Sequence, residues 1–293
     1  MKRIMAYLGP AGTFCEEAAR AVAGGEYAWE LMPCPSIEGV MAAVDSGEAH
    51  LGIVPVENSC EGSVNLTLDL LAYEYRLEIT GEVILPVRHN LLARPGVSLG
   101  DISRVLSHPQ ALAQCRKYLT DNLGAVDLVE ISSTAEAACR VAGSEEPWAA
   151  IGTQSAAISY GLAVVRQDIQ DRADNETRFI SLAQANDENS RPPSGIEDSR
   201  AYKTSMVLSV GDRPGALFKA LEQFYLYEVN MSKIESRPAK TRIGDYLFFI
   251  DVDGHQLEPH IIRALKGLQD IVSDLRLLGS YRTYRNAPGV SGQ

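Results

Sequence analysis

Through residue 160 the chain alternates between two kinds of apolar pattern. Short apolar runs ("RIMAYLG", "HLGIVPVEN", "RVLSHP", "LVEISS", "WAAIGT") are each followed by a stretch with helical spacing: "CEEAARAVAG", "SVNLTLDLLAY", "ALAQCRKYLTDNL", "TAEAACRVAG" and "QSAAISYG". Strand side chains repeat every two residues and helical ones every 3.6, so each switch of period marks a change of element. Strands separated by helices run parallel, with helices covering the sheet. The expected fold class is therefore α/β. One stretch, "EITGEVILPVRHNLLAR", is β-rich and reads as a crossover between two lobes.

The alternation stops at "QANDENSRPPSGIEDSR", which has almost no apolar residue and a Pro-Pro-Ser-Gly core. Such a segment cannot bury itself and reads as a linker. A different order follows: strand "KTSMVLSV", helix "RPGALFKALEQFYLY", strands "VNMSKIESRP" and "RIGDYLFFIDVDG", helix "LEPHIIRALKGLQDI", strand "SDLRLLGSYRTY". That is βαββαβ, a ferredoxin-like module. Pro214 and Gly215 stand at its first helix start, where proline is tolerated. The expected organisation is a first unit over 1–184, with a second lobe at about 81–158, a linker over 185–201, the small module over 202–284 and a tail over 285–293. A length of 293 residues suits two domains.

The formal net charge of −11 argues against a nucleic-acid or anionic-membrane partner, since both call for basic patches. The five cysteines are odd in number and form no C-x-x-C, which predicts free buried thiols. The histidines show no metal-ligand spacing, and no metal or other cofactor is expected. The opening "MKRIMAYLGP" has too short an apolar run for a signal peptide, and a cytoplasmic location is expected.

Four strand-to-helix junctions carry small polar residues: "GPAGTF", "PVENSCEGSV", "SHPQAL" and "SSTAEAA". Ligands bind at the carboxyl ends of parallel strands, where helix N-termini offer free N–H groups and a positive dipole end. Good N-capping explains any one junction as well. Ser133 and Glu136 have capping-box spacing. "PVENSCEGSV" is harder to assign to packing, because Glu57, Asn58 and Ser59 stand together on a loop. Near the end of the first unit, "NETRF" sets Thr177 beside Arg178. Arg178 suits a bidentate grip on a carboxylate, or an ion pair with Glu176 or Asp174. Thr177 suits donation to a leaving hydroxyl, or is simply a β-branched strand residue.

"GPAGTF", "PVENSCEGSV", "LSHPQALAQC", "STAEAA" and "NETRF", in this order and spacing, resemble the catalytic domain of the prephenate dehydratase family. "RPGALFKAL" and "NMSKIESRP" resemble the two motifs of an ACT domain associated with phenylalanine regulation in that family. The resemblance spans roughly residues 3 to 284. It implies a catalytic domain like the two-lobed type 2 periplasmic binding proteins, with the site in the cleft. It implies decarboxylating dehydration of prephenate to phenylpyruvate on the route to phenylalanine, with no cofactor.

Residue by residue, the resemblance makes Thr177 the residue most tied to catalysis, completed by Arg178 and Phe179. It puts Thr13, Asn58, Ser59, Gln110, Ser133 and Thr134 in the substrate cleft. It assigns effector phenylalanine to Gly215, Ala216 and Leu217, with Asn230, Glu235, Ser236, Arg237 and Pro238 opposite, at a subunit interface. A homodimer or homotetramer built through both domains is implied. Cys15 stands where serine is common, and Phe218 where valine or tyrosine is frequent; Phe218 is expected to alter effector affinity. No helical chorismate mutase segment precedes residue 1, so a monofunctional form is expected. In the expected mechanism Arg178 and helix N-termini grip the pyruvyl carboxylate, Thr177 donates to the departing hydroxyl, Phe179 shields the cleft, and Glu57 or His108 supplies the proton. The rival readings are arogenate dehydratase and a non-catalytic amino-acid sensor.

Overall fold

In the computed structural model, residues 3–24, 29–185, 202–240 and 245–285 are described. The first lobe begins with β1 (Arg3–Leu8), α1 (Phe14–Ala23), β2 (Trp29–Cys34), α2 (Ile37–Asp45), β3 (Leu51–Asn58), β4 (Gly62–Ser63), α3 (Asn65–Tyr73) and β5 (Leu77–Pro86). The second holds β6 (Asn90–Ala93), a 3-10 turn at Leu99–Asp101, β7 (Arg104–Ser107), α4 (Pro109–Gln114), α5 (Arg116–Leu123), β8 (Asp127–Glu130), α6 (Thr134–Ala142), β9 (Trp148–Gly152), α7 (Gln154–Tyr160) and β10 (Ala163–Arg166). The chain then returns to the first lobe as β11 (Glu176–Gln184).

The first-lobe strands lie in the order β5-β11-β3-β1-β2, and the second sheet runs β10-β6-β9-β7-β8. Parallel pairing holds for β1 with β2 and β3, and for β7 with β8 and β9. The returning β11 is antiparallel to both β3 and β5. Two passages between lobes, 87–89 and 167–175, make this the two-lobed arrangement of type 2 binding proteins. Because β5 pairs with β11, the second lobe covers about 90–166 rather than 81–158.

Periodicity explains the packing. In α1, Cys15, Ala18, Ala19 and Val22 are buried at i, i+3, i+4 and i+7, a single stripe against the sheet. Close approach needs small residues. A Cβ on Gly52 of β3 would meet Val44 and Val40 of α2 at 2.8 and 2.9 Å. β2 and α2 come in addition to the elements expected from sequence, and the single helix expected over 111–123 is divided into α4 and α5. They part at Cys115 because Asp171, far along the chain, accepts the N–H groups of Lys117 and Tyr118 and so caps α5.

The C-terminal module comprises β12 (Tyr202–Ser209), α8 (Ala216–Leu226), β13 (Met231–Pro238), β14 (Tyr246–Asp253), α9 (Pro259–Gln269) and β15 (Asp274–Arg285), in sheet order β13-β14-β12-β15. This is the expected ferredoxin-like βαββαβ. Its β15 also pairs in parallel with β5, Thr283 opposite Glu82, so one ten-stranded sheet joins module and first lobe. At Gly279 (φ +146) a Cβ would fall 2.2 Å from the Ile79 carbonyl oxygen, so glycine permits that junction. The linker expected over 185–201 and the tail over 285–293 lie outside the described residues, apart from their first residues. Among the described residues no helix is long and apolar enough to cross a membrane. Cys15, Cys34 and Cys115 are buried, but Cys60 and Cys139 are exposed, which corrects the expectation of uniformly buried thiols. Burial pushes the Cys15 and Cys115 thiols up to about 12, making them poor nucleophiles.

Candidate active site

A cavity of about 230 Å³ lies between the lobes. Phe14, Asn58 and Thr177 line it from the first lobe, and Val87 and His89 from a crossover. His108, Gln110, Ala111 and Gln114 of the α4 region and Ser132, Ser133 and Thr134 at the start of α6 line it from the second. Of the expected cleft residues, Asn58, Gln110, Ser133, Thr134 and Thr177 therefore meet here, together with His108.

The registers place Thr177 opposite Asn58, at the cleft end of the β11–β3 pair. Asn58 Nδ2 donates to Thr177 Oγ1 at 2.8 Å and to Asn175 Oδ1 at 2.9 Å. Asn58 Oδ1 accepts from the N–H groups of Cys60 and Glu61, which fixes the amide's orientation. Since a lone pair of Thr177 Oγ1 is thus occupied, its own proton remains to be donated. Ser59 does not line the cavity. Its Oγ accepts from Glu176 N–H at 2.9 Å and pins the segment leading into Thr177.

The four junctions are not equivalent. At α6, Ser133 Oγ accepts the Glu136 N–H at 3.0 Å, while the first-turn N–H groups of Thr134 and Ala135 have no helical partner. Glu136 itself turns to Ser132 and Arg140, so only half of the capping box forms. At α4, His108 Nδ1 accepts from Gln110 N–H at 3.3 Å, and Pro109 has no N–H to offer. At α1, Thr13 is a cap: its Oγ1 accepts from Glu16 N–H and donates to Leu8 O. The buried Glu16 carboxylate takes the Gly12 N–H, so an internal carboxylate already occupies that junction. Thr13, expected in the cleft, caps α1 and is not among the residues lining the cavity.

His89, Gln114, Phe14 and Val87 were missed from sequence. Gln114 had a signal, since it lies one helical turn after Gln110 and shares its face. His89 is buried, its Nε2 sits 2.9 Å from Gln114 Oε1, and Phe14 packs edge-on against it at 5.7 Å. Burial lowers the His89 pKa against the raising effect of the Gln114 bond, which favours neutral imidazole. That ring then donates Nε2–H to Gln114, leaving the Gln114 NH₂ group to donate elsewhere.

Three expected catalytic roles fail on geometry. Arg178 points away from the cavity. Its Nε meets Glu82 at 2.5 Å, Nη1 meets Asp251 at 2.7 Å and Nη2 meets the Tyr281 hydroxyl at 2.9 Å. Successive strand residues face opposite sides, so Thr177 at the cleft forces Arg178 to the back. Asp174, one of the two local partners expected for Arg178, pairs with Arg172 instead. Burial opposes the Arg178 charge, but Tyr281, Asp251 and Glu82 more than offset it and hold the guanidinium firmly protonated. Glu57 follows Arg178 to the back face, 3.0 Å from Lys233 Nζ. Phe179 shares Thr177's face but lies deeper, 1% exposed among Met5, Tyr7, Val83 and Leu85, so it is core rather than lid. Among the described residues, no lysine or arginine lines the cavity.

In the module, Gly215 adopts φ +76 as the N-cap of α8, which continues through the buried Ala216 and half-buried Leu217. Asn230 binds Asp253, and Ser236 and Pro238 are exposed. Glu235 and Arg237 do not open toward solvent with them. Glu235 accepts from Ser63, and Arg237 bonds Asp69 and Asn65, all in the first lobe. The expected effector grouping is therefore split between solvent and the domain junction.

A family model described as prephenate dehydratase matches residues 5–187, and an ACT domain model matches 204–270. The prephenate dehydratase of Amycolatopsis methanolica is 41% identical over 283 residues, 96% of this chain and 88% of that one. An arogenate dehydratase/prephenate dehydratase of Arabidopsis thaliana is 40% identical over 287 residues, covering 94% and 72%. The structure of a prephenate dehydratase in complex with L-Phe, from Arthrobacter aurescens, is 40% identical, with a TM-score of 0.82, and covers 95% of this chain and 90% of that one. A structure described as a quorum-quenching acylase is 32% identical, with a TM-score of 0.84, covering 98% and 99%.

Proposed function

This chain belongs to the prephenate dehydratase family, and we propose that it forms phenylpyruvate, carbon dioxide and water from prephenate with Thr177 as the donor to the departing hydroxyl. One observation carries the reading: Asn58 occupies the acceptor side of Thr177 Oγ1 and leaves its proton for the cavity. The C–C bond to the ring carboxylate breaks and its electron pair enters the ring. The C–O bond to the hydroxyl breaks at the opposite carbon, and the leaving oxygen takes a proton. Aromatisation supplies the driving force, so the protein must hold two anions and assist one leaving group.

The cavity's lack of a cation suits that task. A carboxylate that must depart as neutral carbon dioxide gains nothing from strong ground-state pairing. The α6 first-turn N–H groups and the Gln110 and Gln114 amides are neutral donors for the pyruvyl end. His108 lines the cavity and Glu57 does not, which favours His108 as the proton source.

Among the described residues no carboxylate lines the cavity either, so the ammonium of arogenate would find only neutral acceptors there. Prephenate is the expected substrate. A serine or threonine acylase activates its hydroxyl with an adjacent base. Among the described residues, no cavity hydroxyl is hydrogen-bonded to His89 or His108, and Thr177 accepts rather than donates in its bond with Asn58. Turnover of prephenate and arogenate by the purified chain tests the reading. Prephenate should have the larger kcat/KM by at least about tenfold, a difference of about 1.4 kcal/mol. A larger value for arogenate would reverse the assignment, and no turnover of either would leave a sensor.

Phenylalanine regulates through the ACT module, with a coupling of about 1–3 kcal/mol expected between the two sites. Exposed Phe218, Tyr225 and Leu226 on α8 support self-association through that module.

A further inference from the structure

Thr177 and Arg178 are neighbours on β11, and Asn58 and Glu57 are their partners on β3. The pleat puts one pair on each face. Asn58 and Thr177 face the cleft and are hydrogen-bonded to each other. Glu57 and Arg178 face the ACT module, their charged atoms 3.6 Å apart.

The module completes the back face. Its Asp251 and Tyr281 take two arms of the Arg178 guanidinium, while Glu82 of the first lobe takes the third. Lys203 of the module reaches the other oxygen of Glu82 at 2.8 Å. Ser205 donates to Asp251 and lies 2.6 Å from the Tyr281 hydroxyl. Two cations, Arg178 and Lys203, thus meet two carboxylates, Glu82 and Asp251, with one of each charge supplied by the first lobe and one of each by the module. Lys233 of β13 adds a grip on Glu57. This β13 is the strand whose Glu235 bonds Ser63, five residues beyond Asn58.

We propose that Arg178 and Glu57 are positioning residues through which the ACT module aims Thr177 and Asn58, so that phenylalanine acts on turnover by shifting the module's hold on this strand pair. A guanidinium held at three points cannot follow a displaced module without moving its backbone. Thr177 shares that backbone, and a shift of one ångström is large beside a 2.8 Å hydrogen bond. The back face therefore sets whether the threonine proton points at the leaving hydroxyl. This inference rests on the dehydratase reading.

The test uses the full chain, its Tyr281→Phe variant and, as a second probe, Arg178→Lys, which keeps the charge and loses the three-way fork. Prephenate turnover by the parent tests the dehydratase reading. The factor by which saturating phenylalanine changes the rate, compared between parent and variants, tests the proposal. Typical couplings change affinity by about 5–150-fold. Both variants should lower kcat with KM within about twofold, the pattern of an interaction felt in the transition state, and should at least halve the phenylalanine factor. Circular dichroism establishes which variants are folded, and a folded one suffices for the decision. A parental phenylalanine factor in a folded variant overturns the proposal, even if kcat or stability has fallen, because a purely structural role would do that much.

Discussion

The two faces of the β3–β11 pair are built from opposite chemistry. Toward the cleft stand an amide, a hydroxyl and, nearby, a neutral imidazole, and among the described residues no lysine, arginine or carboxylate lines the cavity. Toward the ACT module stand Glu57, Arg178, Glu82, Asp251 and Lys233, paired within 2.5 to 3.6 Å. The difference is one of task. The cleft must bind a dianion and release carbon dioxide, so it offers dipoles rather than fixed charges. The back face must couple the module to the strand pair, and charged pairs do so because breaking one leaves a buried ion unpaired.

That contrast can be broken at the cleft first. Thr177→Val keeps the shape and removes the proton. Its kcat on prephenate should fall roughly 10²–10⁴-fold with little change in KM, as expected for lost acid assistance. Next comes the back face. Arg178→Met strips Asp251 of its cation and leaves Glu82 with Lys203 alone, and urea denaturation should record a loss of about 3–5 kcal/mol. A loss under about 1 kcal/mol would mean the cluster is a surface pair, contrary to the 11% exposure of Arg178. Gly279→Ala attacks the joint between the domains. A strained φ and a collision with Ile79 should cost about 1–3 kcal/mol in the same assay while leaving KM unchanged.

Ser133→Ala removes the α6 cap and should destabilise by about 1 kcal/mol. A disordered α6 N-terminus should also raise KM. The smallest effect at neutral pH concerns His89. Its folded pKa is lowered, so below about 6.5 the unfolded chain takes up a proton that the folded one resists. Stability should fall as pH drops through that value, with a slope of at most about 1.4 kcal/mol per pH unit from this group. His89→Gln, which keeps a donor near Gln114, should flatten that slope. An unchanged slope would mean that other groups carry it.

Much of this was legible in the sequence because it is local. The period switches mark most strands and helices, Asn58 stands on a loop that is hard to assign to packing, and Thr177 reads either as a donor or as a β-branched strand residue. Arg178 was misread for a physical reason. Strand alternation says that it faces away from Thr177 but not which side is the cleft, and its partners lie 96, 73 and 103 residues away. Phe179 follows the same logic. It shares the face of Thr177, yet two residues of strand, about 6.7 Å, carry it from the cleft edge into the core. Thr13 and Glu235 show a further limit. A good cap and a good ligand residue look alike until a buried Glu16 or a Ser63 is seen to have taken the hydrogen bond.

The kcat of Thr177→Ser against Thr177→Val, with prephenate, tests the central claim most directly. Serine keeps a hydroxyl within reach of Asn58, whereas valine keeps only the shape. Turnover by the serine variant should stay within about tenfold of the parent, and the valine variant should fall at least about 10²-fold below it. Equal kcat values for the two variants would contradict proton donation by Thr177.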